Sequence, residues 1–523
     1  MSDGEKAKVM AMGRIKSFLS GARLDSTTPP PRLFQLRSSK TFILTTICIA
    51  VFTDVYLYGI IVPVIPFALT ARAGVAASSV QSWVSVLLAV YGAALLVSSP
   101  LAGWYADRSS SRRLPLLFGL LTLGGATVML CLARTVALLV VGRILQGFSA
   151  AIVWTVGQAL LVDTVGQKEI GQTLGWVSLS MSLGILLAPL LGGVVYTRAG
   201  YYPVYYMAFG LVALDICLRM AMIEKKVALQ WAVEEEAAET EGISGPDPEQ
   251  GLERTEKSDE EAGEKVAESH SPDDGGTTET IPVVRYPKWP PVLTLLKSRR
   301  LVAALWGCIV QGSLMTAFDS VIPLYVQKVF HWNSTGAGLT FLALIVPSFA
   351  APLVGWVSDR YGPRWLSVTG FVFAVPFWVL LRFVTHNTLN QKVLLCALLA
   401  LIGLTLTLVM PPLMAEITYV VEAKEKQNPG RFGPTGAYAQ AYGLYVTAFA
   451  AGTLIGPIWA GYVNDAAGWG TMAWSLGLFS LAGALPCLIW TGGLITKNNP
   501  KSGDERAIGG PPVHGRTENV VEV

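Results

Sequence analysis

The sequence predicts an all-α polytopic membrane protein with twelve transmembrane helices in two pseudo-symmetric six-helix bundles. Three observations predict it. Of the 523 residues, 52% are hydrophobic and only 14% charged, with a mean hydropathy of +0.49, against about 25% charged in a soluble globular protein. Apolar runs of membrane-spanning length recur from Thr41 to Trp490. Motifs of the first half return in the second half at nearly constant spacing. This composition excludes a free-standing soluble enzyme, a nucleic-acid binder and a secreted disulfide scaffold.

A helix needs about 20 apolar residues to cross a bilayer. The runs place helices at 41–69, 80–104, 114–133, 136–163, 170–197 and 201–222, then at 300–328, 337–357, 366–385, 393–421, 436–463 and 469–492. The two bundles are therefore 41–222 and 300–492. The short alternating strands of a closed barrel are absent, which leaves helices to satisfy the backbone in lipid. Residues 1–40 form a polar tail with eight Lys and Arg and no signal-peptide core. Arg108, Arg112 and Arg113 follow helix 2, and Arg360 and Arg364 follow helix 8. Basic residues mark the cytoplasmic side, so both tails and the central segment are expected there.

Residues 223–299 lose the apolar pattern. Between Glu234 and Glu279 stand 17 acidic and 3 basic residues, a net of −14. Such a segment cannot bury enough apolar surface to fold alone. It is expected to be a disordered acidic cytoplasmic linker, and 493–523 a disordered cytoplasmic tail. The six cysteines are scattered singly and make no metal-ligand spacing. No nucleotide-binding loop, HExxH helix or GxSxG elbow occurs, so the expectation is a non-enzyme with no metal and no cofactor, energised by an ion gradient.

The repeat is specific. Helix 2 ends Pro100-Leu101-Ala102-Gly103-Trp104-Tyr105-Ala106-Asp107-Arg108, and helix 8 ends Pro352-Leu353-Val354-Gly355-Trp356-Val357-Ser358-Asp359-Arg360, 252 residues later. Helix 5 carries Gly175, Gly184, Ala188-Pro189 and Gly192-Gly193. Helix 11 carries Gly443, Gly452, Gly456-Pro457 and Ala460-Gly461 at the same internal spacing, 268 residues on. Two matched patterns in one order indicate an internal duplication.

These residues resemble the major facilitator superfamily over all twelve helices. Gly103, Asp107, Arg108, Arg112 and Arg113 resemble its helix 2–3 loop motif, and Arg143-Ile144-Leu145-Gln146-Gly147 its helix 4 motif. Gly175, Gly184, Pro189, Gly192 and Gly193 resemble the signature of its antiporter branch, with Ala188 where Gly is usual. Helix 1 is similar to twelve-helix drug:proton antiporters and vesicular amine transporters, and the exit of helix 6 (Asp215, Arg219, Glu224) to fungal members. The resemblance implies a secondary active transporter that exports small organic molecules by proton antiport. A vesicular or vacuolar amine-type carrier, a uniporter and a symporter are the alternatives. Its expected partners are a small-molecule substrate, protons and the lipid bilayer, with no nucleic acid, and a monomer suffices. A plasma-membrane location is expected, with a vacuolar or vesicle membrane as the alternative.

The residues have a physical reading of their own. A carboxylate at the end of helix 2 or 8 can meet the positive N-terminus of a neighbouring helix, while arginines bridge to acids across the gap. Asp107, Arg108, Arg112, Asp359 and Arg360, with Gly103 and Gly355, are thus candidates for a cytoplasmic gate. The glycines of helices 5 and 11 are expected near one face, where small residues let helices approach closely. Buried ionisable residues are costly in a bilayer and mark function. Asp54 with Tyr58 on helix 1, Arg143 with Gln146 on helix 4, Asp319 on helix 7 and Glu416 on helix 10 are the candidates for a central cavity. An acid buried there can take up and release a proton, as coupling requires. The aromatic residues Tyr56, Tyr58, Tyr91, Trp154, Tyr419, Tyr438, Tyr442 and Tyr445 are candidate lining.

Overall fold

The structure is a computed structural model. It describes residues 33–228 and 291–492, apart from 62, 63, 66–68, 71, 77, 78, 110, 167, 226, 333, 428, 430, 431 and 433–435. Most of the N-terminal tail, the core of the acidic linker, the C-terminal tail and Pro63 lie outside the described residues.

Among the described residues, eleven helices are long and apolar enough to cross a membrane. The first bundle comprises α1 (Lys40–Ile61), α2 (Val80–Arg108), α3 (Arg113–Leu132), α4 (Val136–Val165), α5 (Ile170–Ala199) and α6 (Tyr201–Ala221). The second opens with α7 (Arg299–Phe330). Next, α8 comprises Ser334–Ile345 and Ala351–Tyr361, joined by the 3₁₀ turn Val346–Ala350. Then come α9 (Pro363–Leu380) and α10 (Leu389–Gln427). The last stretch, Tyr438–Trp490, is two helices, α11 and α12, because Gly468 between them has φ 82° and ψ 172°, outside the helical region. A side chain there would be strained. Counted this way, the spans number twelve, as the apolar runs predict.

Each span obeys the same constraint. Lipid offers no hydrogen bonds, so the backbone bonds to itself and the ends need other partners. The Thr135 hydroxyl accepts from the Leu138 amide to cap α4. At the end of α6, Arg113 donates to the carbonyls of Arg219 (3.1 Å) and Met220, and Arg37 to that of Ala221 at 2.5 Å. At the end of α12, Arg364 donates to the Thr491 carbonyl at 2.5 Å. Arg113 and Arg364 each sit at the start of the third helix of their bundle and cap the last helix of it. Cations are favoured at helix C-termini. Large apolar side chains such as Leu121, Tyr206, Leu353, Phe373 and Ile458 stay exposed on the outer surface, the side that faces acyl chains.

A fully buried ion pair lies inside the first bundle. Arg219 forks onto Asp215 one turn earlier in α6 (2.9 and 2.7 Å) and donates to the Leu116 carbonyl of α3 at 2.6 Å, with both side chains fully buried. Glu224, just past α6, accepts from the Ser111 hydroxyl (2.6 Å) and the Arg113 amide (2.7 Å). The α6 exit that resembles fungal members is thus a buried brace between α6 and the start of α3.

Removing one partner of a buried pair strands the other charge, at about 3–5 kcal/mol. Asp215→Asn is therefore expected to cut folded protein and lower its detergent melting temperature. Replacing both Asp215 and Arg219 by leucine or methionine should recover part of the loss, read by fluorescence-detected size exclusion.

Candidate functional site

Two clusters gather the residues singled out by the sequence. The first lies inside the N-terminal bundle between α1, α2 and α4. Asp54 sits about 21 Å along α1 from Lys40 at 1.5 Å per residue. It is 2% exposed, and its carboxylate accepts from the Trp154 indole N–H of α4 at 3.2 Å. One turn further along α1, Tyr58 packs against Tyr91 of α2, with ring centroids 4.5 Å apart. The Arg143 guanidinium lies over the Tyr58 ring at 5.3 Å and donates to Gln146 Oε1 at 3.0 Å. Close approach of the helices holds these groups together, because a Cβ at Gly147 would lie 2.4 Å from the Tyr91 carbonyl oxygen. Asp54, Tyr58, Arg143 and Gln146 therefore form one polar seam.

Glu416 does not join it. Glu416 is fully buried, but it pairs with Arg300, the second residue of α7, at 2.8 Å and accepts from the Gly492 amide beyond α12 at 2.9 Å. Those groups mark the end of the bundle where α7 begins and α12 finishes, not the depth of Asp54. The expectation of a central-cavity acid is corrected on this point: Glu416 ties the ends of three helices. Asp319 falls within α7, and its side chain lies outside the described residues.

The second cluster joins the two bundles at the end that carries the basic loops. The Asp107 carboxylate at the close of α2 accepts from the amides of Ala439 (3.1 Å) and Gln440 (2.9 Å), the second and third residues of α11. The Asp359 carboxylate at the close of α8 accepts from the amides of Gly171 (2.7 Å) and Gln172 (2.9 Å), the second and third residues of α5. Each bundle thus caps a helix of the other by the same geometry. Arg112 donates to Asp107 at 3.0 Å and to Asp163 of α4 at 3.2 Å, both carboxylates being almost fully buried. Gln440 adds a side-chain bond to Asp107, and the Tyr419 hydroxyl one to Asp359.

Arg108 and Arg360 depart from the expectation that they bridge to acids. Their guanidinium carbons lie over Trp104 (4.1 Å) and Trp356 (4.4 Å), four residues back on the same helix.

Glycines set the close approach. A Cβ on Gly355 would lie 2.0 Å from the Gly171 carbonyl oxygen, and one on Gly103 would lie 2.4 Å from that of Ala439. Gly175 meets Ala351 of α8, and Gly443 meets Ser99 of α2. Gly184 and Gly192 instead meet Val55 and Ile60 of α1, with Ala188 against Gly59. Gly452 and Gly456 likewise meet Ile309 and Ser313 of α7. The helix 5 motif is therefore split between two faces, which corrects the single-face expectation. Nine residues at 100° each make a half turn, so Gly175 and Gly184 must point oppositely. Gly193 has open space beside it, and Pro189 lies within α5. Sequence reasoning missed Asp163, Gln440 and Gly171, and it offered Tyr419 as cavity lining rather than as a partner of Asp359. Gly171 alone left a signal, as a glycine in the first turn of a long helix.

Comparison with known proteins agrees with this architecture. The family model described as Major Facilitator Superfamily matches residues 47–425 and 337–517. An uncharacterized MFS-type transporter of Schizosaccharomyces pombe is 34% identical over 430 residues, covering 82% of this chain and 91% of that protein. The MFS-type transporter ppzB of Metarhizium rileyi is 33% identical over 445 residues, covering 82% and 90%. A probable vesicular acetylcholine transporter-B of Danio rerio is 31% identical over 197 residues, 37% of this chain and 38% of its own. Among solved structures, human organic anion transporter MFSD10 (TETRAN) superposes with a TM-score of 0.59 at 14% identity, covering 86% of this chain and 99% of that one.

The glycine contacts make a direct test. Gly355→Ala forces a Cβ into a backbone carbonyl and is expected to destabilise the bundle contact by about 1–3 kcal/mol, lowering the melting temperature. Gly193→Ala meets nothing and should leave it unchanged.

Proposed function

The chain belongs to the major facilitator superfamily, a family of multi-pass membrane transporters, and we propose that it exports small organic molecules by proton antiport with alternating access. Asp54 carries the reading. It is a carboxylate inside a membrane bundle, with the Trp154 indole as its hydrogen-bond partner among the described residues. A buried carboxylate with no ion-pair partner among the described residues is least costly when it takes up a proton. A proton and the donor end of a solute then compete for one group, and competition for a shared site is what exchange requires.

The caps at the basic end support the other half of the cycle. In the proposed cycle, Asp107 on α11 and Asp359 on α5 close the cytoplasmic side, and the site then opens to the opposite face. Loss of both caps lets the bundles part there. The gate comprises Gly103, Asp107 and Arg112 with Gly355 and Asp359, while Arg108 and Arg360 hold the rim through their tryptophans. The relatives named as vesicular acetylcholine transporters favour a cationic amine as the second reading, and Asp54 is the group that would meet it.

Asp54→Asn keeps shape and polarity but fixes the neutral state. Gradient-driven accumulation in proteoliposomes is expected to collapse while membrane abundance and downhill exchange persist. Full proton-driven transport with an unchanged pH profile in Asp54→Asn removes the coupling role. Glu416→Gln is the contrasting variant, expected to lower abundance without uncoupling what remains.

Asp107→Asn and Asp359→Asn each weaken a charged cap by about 1–2 kcal/mol. Labelling of a cysteine placed in the cytoplasmic seam should rise in either variant and rise further in the double variant. Unchanged labelling with normal flux leaves both acids as topology anchors.

A further inference from the structure

Arg143 is fully buried, and its surroundings are short of acceptors. Its Nη1 bonds to Gln146, but its Nε and Nη2, together with Gln146 Nε2, have no hydrogen-bond partner. Three buried donors and a full positive charge therefore lie side by side with no carboxylate of this chain to meet them among the described residues. An uncompensated charge of that kind is costly. Snorkelling does not explain it, because a snorkelling side chain exposes its head and this one is enclosed about 10 Å into α4.

The Tyr58 ring beneath the guanidinium takes up part of the charge through its face. A ring under the plane leaves the in-plane N–H fork unused. Asp54 is the nearest acid on α1, but it is one turn from Tyr58 and bonded to Trp154. Opposite charges in one seam are thus held apart by an aromatic pair rather than neutralising each other. The fork matches a carboxylate in shape and charge, as a bidentate pair.

We propose that Arg143 and Gln146 are the acid-recognising end of the binding site, so that the transported solute is amphoteric. Its carboxylate docks on the Arg143 fork, its body lies on Tyr58 and Tyr91, and its cationic or N–H-donating end faces Asp54. This rests on the reading of that seam as the substrate site and adds the chemistry of its second pole. A neutral or purely cationic solute leaves the three donors unmet, and a site built to bond a group discriminates against analogues that lack it.

The test compares three probes on purified wild-type protein in nanodiscs, with equal pH on both faces: 4-(aminomethyl)phenylacetic acid, its methyl ester and its N-acetyl derivative. Binding is read by competition in a thermal-shift series and by calorimetry. The amphoteric acid is expected to bind about 10–100-fold more tightly than its ester, the range for a charged hydrogen bond. Arg143→Gln should erase that preference and Arg143→Lys retain part of it. An ester that binds within about threefold of the acid on the wild type, or no binding by any of the three, overturns the proposal. The wild-type comparison stands even if Arg143→Gln misfolds. No gradient is applied, so a failure of proton coupling in flux assays leaves this result untouched, and the reverse holds as well.

Discussion

A carboxylate that reaches out of one bundle to bond the first free amides of a helix in the other is the contact on which the rest depends. Helix N-termini have unpaired amides and partial positive charge. In lipid they cannot be left bare, and at the join between two bundles neither bundle can satisfy them alone. Asp107 and Asp359 solve the same problem in opposite directions. The glycines around them follow from this, since the caps reach only if the backbones nearly touch. Gly103, Gly355 and Gly171 are where a side chain would hold α2 from α11 and α8 from α5.

The two bundles share a frame but not an interior. Both cap their last helix with a cation from the start of the third, Arg113 in one and Arg364 in the other. The shared frame closes the helix ends in both halves. Inside, the N-terminal bundle places Asp54 and Arg143 deep in the seam, whereas Glu416 has moved to the end of its bundle and pairs with Arg300.

Much of this was legible in the sequence because lipid leaves so few options. The twelve spans follow from apolar length, and the Asp107 and Asp359 caps from a charged residue repeated at the close of two paired helices. Asp54, Tyr58, Arg143 and Gln146 were readable as costly groups inside apolar helices. Their assembly into one seam was not, because Trp154 reaches Asp54 only through the packing of α1 on α4. Glu416 was misplaced for a related reason: α10 runs 39 residues, so a position within the apolar run does not give depth. The half-turn between Gly175 and Gly184 was present in the spacing itself. Similarity of residue type had masked it.

Because each bundle supplies one cap and receives the other, neither cap can be lost without displacing the surface that presents its twin. Under the alternating access proposed above, a rigid-body rocking of one bundle against the other strains both caps in a single motion. In that cycle the mirror arrangement of two aspartates bears on the rate of opening as well as on stability. Coupled caps favour a concerted opening, which shortens the time in which water could bridge the seam while the opposite face is still unsealed.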